Sequence, residues 1–233
     1  MVENHPDIRK QEYRGIACLV LSAFCFALMS MFVHLAGDLP SMQKSFFRNL
    51  VAALAAVVLL LRAGEPFRIR RENLPYFLMR SIFGTMGVLC NFYAVDHLVL
   101  ADASILNKMS PFFTVLFSWL ILKENVMPIQ LSLIFGAFLG SIFVVKPTFS
   151  NLPSLLGFFG GICAGAAYTM VRKLGEAGEK GPVIVLFFSV FSCVVVLPWL
   201  IFDYHPMTWQ QMGILLLAGC AAAGGQFAIT AAY

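Results

Sequence analysis

Apolar residues run along this chain in eight stretches of about twenty, separated by short polar loops. They cover approximately residues 15–36, 42–61, 76–96, 101–122, 127–145, 155–171, 182–202 and 210–233. A helix rises 1.5 Å per residue, so ~20 apolar residues cross the ~30 Å hydrocarbon core of a bilayer. The pattern therefore predicts an all-α integral membrane protein, a multi-spanning helical bundle of eight spans. The first stretch is too long for a signal-peptide core of ~7–15 residues, and no small-x-small cleavage site follows before Gly37. It is expected to be retained as a span.

Composition fits this picture: 60% of residues are hydrophobic and 12% charged, against about 25% charged in soluble proteins. The net charge of +4 does not point to nucleic acid, because the basic residues sit in alternate loops and form no single patch. Cys18, Cys25, Cys90, Cys163, Cys193 and Cys220 all fall inside apolar spans, without a CxxC or a nearby His pair. They are expected to be small packing residues, not disulfides or metal ligands. No cofactor is implied.

Lysine and arginine in short loops mark the cytoplasmic side. Arg9, Lys10, Arg14, Arg62, Arg68, Arg70, Arg71, Lys123, Arg172, Lys173 and Lys180 fall on one side, eleven in all. The other side holds Lys146, with Lys44 at its border, beside the acidic Asp38, Asp96, Asp102 and Asp203. Residues 1–14 are thus expected to be a cytoplasmic N-terminal segment of a multi-pass cell-membrane protein, of the bacterial inner-membrane kind.

The chain also matches itself weakly, in order. Ala23–Gly37 aligns with Gly161–Gly175, Phe46-Phe47 with Phe187-Phe188, Gly84 with Gly219 and Asn91-Phe92 with Gln226-Phe227, at offsets of about 135–141. Spans 1–5 (residues 15–147) then correspond to spans 6–8 (residues 155–233). Because five is odd, the second copy enters from the opposite side, the inverted repeat of many secondary transporters, whose site lies near the midplane between halves. The second copy has three spans of an expected five. Either the sequence is a fragment, or a homodimer or another partner supplies two helices; the fragment is the expected case.

Several motifs resemble the EamA-type, ten-helix branch of the drug/metabolite transporter superfamily. Phe47-Arg48-Asn49-Leu50-Val51-Ala52 in span 2 is similar to that family's R-x-x-x-A pattern. Ala103-Ser104 through Ser110-Pro111-Phe112, then Leu120-Ile121-Leu122-Lys123-Glu124, resembles its Pro-centred helix ending in an acidic residue. Gly136-Ala137-Phe138-Leu139-Gly140 resembles its glycine-rich fifth helix. The resemblance implies two EamA repeats, the second truncated, and a permease moving a small-molecule metabolite across the lipid bilayer by alternating access.

Polar residues inside the spans mark candidate sites. Arg48 and Lys108 lie about two turns inward from the outer ends of spans 2 and 4, Asn91 between one and two turns into span 3, and His34 near the outer end of span 1. A buried Arg or Lys costs roughly 2.5–3.5 kcal/mol even on the milder insertion scale, so such residues face a cavity or a partner. No carboxylate of comparable depth is available, so Arg48 and Lys108 together predict a cationic cavity for a carboxylate or phosphate. The competing expectation is snorkelling to the headgroups, which is the preferred one for Lys44. Pro111 clashes with the carbonyl of Asn107 and predicts a kink or hinge beside Lys108. Tyr168 and Thr169 of span 6 and Gln226 and Thr230 of span 8 are the polar candidates of the second half, with Gln226 expected opposite Asn91 across the midplane. Gly157, Gly161 and Gly165, and Gly136 and Gly140, recur every four residues and predict close helix packing.

An intramembrane enzyme is the alternative from another class, because Asp96, His97, Asp102 and His34 gather near the outer surface. Neither a nucleophile nor metal-ligand spacing accompanies them, so a carrier is expected, with a truncated, non-transporting membrane subunit or relic as the nearer alternative because two helices of the second repeat are missing. Span 1 lacks the membrane-embedded glutamate of proton-coupled multidrug relatives, which favours a metabolite over a cationic drug.

Overall fold

The computed structural model describes residues 6–64, 67–123 and 152–232, with residues 129, 132, 134–136, 139, 140 and 143 of the intervening stretch. Eight α-helices carry the architecture among the described residues: α1 Pro6–Leu35, α2 Ser41–Ala63, α3 Leu74–His97, α4 Leu100–Asn107, α5 Ser110–Leu122, α6 Leu152–Glu176, α7 Gly181–Phe202 and α8 Trp209–Ala232. Among the described residues, seven helical stretches are long and apolar enough to cross a membrane, with α4 and α5 together forming one of them. The fifth predicted span, 127–145, lies largely outside the described residues, as do Glu124 and Lys146.

Proline and glycine set the helix ends. Pro75, Pro111 and Pro182 stand in the first turns of α3, α5 and α7, where the missing N–H is no loss. Gly64 closes α2 at φ 64°, and its N–H returns to the carbonyls of Leu60 and Leu61, a left-handed conformation open to glycine. Gly178, at φ 76°, turns the chain after α6 and brings Glu179 back over the helix end.

We call the end of the bundle bearing residues 36–40, 98–99 and 203–208 the upper end, and the end bearing residues 64–73 and 177–180 the lower. The helices pack in an exchange pattern: α3 runs along α6, α1 along α8, and α2 against both α7 and α8. Swapping α1 with α6, α2 with α7 and α3 with α8 maps the α1–α8 contact onto α6–α3 and α2–α7 onto itself.

Small residues allow these approaches. A Cβ on Gly160 would lie 3.1 Å from Cys90, and one on Gly87 would lie 3.2 Å from the Ala164 nitrogen, so α3 and α6 meet backbone to backbone. Gly157, Gly161 and Gly165 face α4 and α5, where a Cβ would meet Leu106, the Leu106 carbonyl and the Ser110 carbonyl at 2.8 to 2.9 Å. Around Gly136 and Gly140 a Cβ meets nothing within 4 Å among the described residues, and most of the segment that holds them lies outside those residues.

At the lower end Leu60, Phe77, Val171, Leu174, Val183 and Ile184 form one buried cluster. Beyond it Asn73 Nδ2 donates to Glu179 Oε1 at 2.6 Å, and an Arg70 guanidinium nitrogen donates to the Ala177 carbonyl at 3.3 Å. Both bonds join the first three helices to the last three. The kink expected at Pro111 is a full break: α4 ends at Asn107, two residues turn, and α5 begins at Ser110.

Candidate functional site

Two buried arginines meet at the centre of the bundle. Arg48 enters from the upper end, seven residues into α2, and Arg80 from the lower end, six residues into α3. They are 1% and 2% exposed. Both guanidinium groups lie on the Phe188 ring of α7, with carbon-to-centroid distances of 5.8 Å for Arg48 and 4.1 Å for Arg80. An aromatic face attracts a cation, so Phe188 is the platform that lets two like charges share one layer.

Each guanidinium is met by a neutral amide oxygen. Arg48 Nη1 donates to Asn49 Oδ1 at 2.8 Å, and Arg80 Nη2 donates to Gln226 Oε1 at 2.9 Å. The Nε atoms of both are buried with no hydrogen-bond partner among the described residues. Gly84 makes the room: a Cβ there would strike the Arg80 guanidinium and come within 2.7 Å of Phe188.

Around this pair lies a cavity of about 50 Å³, lined also by Asn91, Asn107, Tyr168 and Gln226 from α3, α4, α6 and α8. Among the described residues its lining contains no Asp or Glu. At about 30 Å³ per liquid water, it has room for only a water or two. A second cavity of about 340 Å³ opens between α1 and the α4–α5 break and shares Phe26, Asn107 and Tyr168 with the first. Lys108 lines this one and is exposed. The break at Lys108–Met109 changes the direction in which α4 presents its last residue, so Lys108 and Arg48 do not share a cavity. His34 is also separate: it is exposed and lines a wide upper vestibule of about 810 Å³ with Asp96 and His97. Gln226 does not stand alone opposite Asn91, because both line the central cavity and Gln226 is bonded to Arg80.

Lys44 departs from the snorkelling expectation. It is 1% exposed, and its Nζ donates to Asp96 Oδ1 at 2.5 Å, while Ser41 Oγ donates to Asp96 Oδ2 at 2.6 Å. The upper ends of α2 and α3 therefore neutralise this charge between them. Of the groups considered for acid–base chemistry, Asp96 is held by this pair, and His97 bonds through Nδ1 to the Tyr93 carbonyl at 2.9 Å and stacks on the Tyr93 ring.

The sequence reading misses Arg80, Phe188 and Gly84. Arg80 lies close to the run Arg68, Arg70 and Arg71 and reads as a border charge. A signal is present: Arg80, Gly84, Gly87 and Asn91 recur at i, i+4, i+7 and i+11, one polar and small-residue face of an otherwise apolar helix.

Residues 13–146 match the EamA-like transporter family. The pseudopaline exporter CntI of Pseudomonas aeruginosa (strain UCBPP-PA14) is 33% identical over 224 residues, spanning 94% of this chain and 78% of the relative. Solute carrier family 35 member G1 of Homo sapiens is 28% identical, over 94% of this chain and 64% of the relative. A riboflavin transporter of Brucella anthropi is 26% identical, over 92% and 79%. A crystal structure 14% identical in sequence superposes with a TM-score of 0.68 over 96% of this chain and 78% of the other, a likeness of fold alone. With seven membrane-length helices among the described residues, a buried polar centre and a family match over more than half its length, the chain belongs to the EamA-like transporter family and is a multi-span membrane permease for a small metabolite.

Proposed function

We propose that this permease carries a small organic anion, bound at the centre of the bundle by Arg48 and Arg80. The observation that carries this reading is the pair of buried guanidinium groups on Phe188 with amide oxygens as neighbours and, among the described residues, no carboxylate in the cavity wall. An uncompensated charge in a low-dielectric interior is costly. A transported anion offsets that cost and forms charge-assisted hydrogen bonds to the free guanidinium edges. Asn91, Asn107 and Tyr168 supply neutral contacts from three further helices.

The central cavity holds no metabolite at its present size, so loading requires the two halves to part. The exchange pattern of helix contacts supports an inverted pair of repeats, 15–147 and 155–233, rocking about a fixed site. In this reading the lower end is closed by the Leu60–Phe77–Leu174 cluster and by the Asn73–Glu179 bond. The basic loops support a cytoplasmic position for that end, in a cell membrane. One relative is named for export, which supports outward movement. Arg48→Gln and Arg80→Gln test the reading. Each should abolish anion binding by the purified, folded protein, and unchanged binding in both would overturn it.

A further inference from the structure

We infer that Gln43 and Glu179 are paired gate residues: each ties one end of the bundle shut, and releasing either opens that end at the expense of the other. The inference rests on the rocking of the two halves proposed above and does not depend on what the central cavity binds. It follows from a match between the two ends. Ala36-Gly37-Asp38 follows α1 and Ala177-Gly178-Glu179 follows α6, 141 residues further on. Gly37 and Gly178 make the same left-handed turn, at φ 70° and 76°. The alanine carbonyl in each turn accepts a side chain from the other half: Gln211 Nε2 donates to Ala36 at 3.2 Å and Arg70 Nη1 to Ala177 at 3.3 Å. A loop N–H at each end is caught in turn: His205 N donates to Gln43 Oε1 at 3.1 Å and Arg70 N to Glu179 Oε1 at 3.4 Å. Arg70 and His205 are 135 residues apart, the offset that relates Gly84 to Gly219.

The two ends differ in which side chain does the catching. Asp38, the counterpart of Glu179, lines the upper vestibule. Gln43, in the first turn of α2, takes its place, and its Nε2 also donates to the His205 carbonyl at 2.8 Å. Gln43 itself is fully buried. Every one of these bonds joins the first repeat to the second, so an end parts only when its own bonds break. With both sets made, the centre is left with its cavity of about 50 Å³. A state open at the upper end lacks the Gln43 bonds, whereas the closed state and the state open at the lower end keep them. Removing the Gln43 side chain therefore raises the upper-open population and draws it from the lower-open one. A residue that merely stiffened its own loop would leave the far end of the bundle unchanged.

The test places reporter cysteines at two fully buried positions, Val95→Cys near the upper end and Ser81→Cys near the lower, in the protein reconstituted in sealed vesicles. A membrane-impermeant maleimide is added from one side or the other, and the labelling rate of each reporter peptide is read by mass spectrometry. Gln43→Ala should raise the ratio of upper to lower labelling about tenfold or more through the loss of two hydrogen bonds, with the lower rate falling. Glu179→Ala should lower the ratio, and the double variant should return towards native. Gln43→Glu, which loses the donor to the His205 carbonyl, should shift the ratio in the same direction as Gln43→Ala, and Glu179→Gln, which keeps an acceptor oxygen, should stay near native. In the native background, labelling one reporter should block the other, which tests the rocking itself. An unchanged ratio in Gln43→Ala, Gln43→Glu and Glu179→Ala, with that exclusion intact, would overturn the gate assignment and leave the rocking standing. Faster labelling at both reporters in Gln43→Ala, the mark of general loosening, would overturn the gate assignment as well. Loss of the exclusion would overturn both.

Discussion

Replacing Arg80 by methionine should separate stability from binding. The change removes a buried charge, a relief of roughly 2.5–3.5 kcal/mol on the insertion scale. Against this, it removes the 2.9 Å bond to Gln226, which leaves the amide oxygen unpaired at a cost of about 1–3 kcal/mol. It also removes the contact with Phe188 at 4.1 Å, about 0.5–2 kcal/mol when desolvated. Methionine fills most of the volume, so a cavity penalty is small. These terms nearly cancel. At about 2–4 °C per kcal/mol for a chain of this size, the melting temperature should stay within roughly 5 °C of native. Anion binding should behave differently, because truncating one partner of a buried charge pair costs about 2–5 kcal/mol, or roughly 30- to 4000-fold in affinity. Terephthalate titration and thermal unfolding on the same preparation measure both quantities. A variant that melts far lower while binding terephthalate normally would refute the reasoning, since Arg80 would then be structural.

Other substitutions probe the supports of the site. Gly84→Ala should displace the Arg80 guanidinium and Phe188, because the new methyl overlaps both. Overpacking of this kind costs about 1–3 kcal/mol, and both the melting temperature and anion affinity should fall. Asp96→Asn strands the buried Lys44 ammonium and should lower stability by about 3–5 kcal/mol; the double change with Lys44→Met should recover most of it in denaturant unfolding. Gly165→Val should separate α6 from α5, because a Cβ there would lie 2.9 Å from the Ser110 carbonyl oxygen, and the loss should appear as a reduced yield of folded protein. Glu179→Ala removes the acceptor of Asn73 and should increase labelling of a reporter cysteine placed at Ser81 from the lower side.

How far the sequence discloses the site depends on the kind of information each residue carries. Arg48, Asn91, Asn107, Tyr168 and Gln226 are legible as polar interruptions of apolar runs, and all five line the central cavity. Arg80 is not, because an arginine six residues inside a helix that follows a basic loop looks like the border of the span. Only the small-residue face continuing through Gly84 and Gly87 distinguishes it. Lys44 defeats the snorkelling expectation because its counter-charge lies 52 residues away on another helix, a distance that hydropathy does not register. Depth alone groups Lys108 with Arg48. Depth is readable from residue count, but the direction a side chain faces is reset by the break between α4 and α5. The exchange pattern of helix contacts, by contrast, follows the offsets of about 135–141 residues seen in the self-matches.

On the mechanism proposed above, Arg48 and Arg80 together bind the transported anion. The most direct test is charge displacement on a solid-supported membrane carrying proteoliposomes, recorded on a jump to terephthalate. The native protein should give a rapid transient that saturates with concentration, and the folded Arg48→Gln/Arg80→Gln variant should give none. A saturable transient of equal size from the double variant would place the anion elsewhere in the molecule and contradict the account.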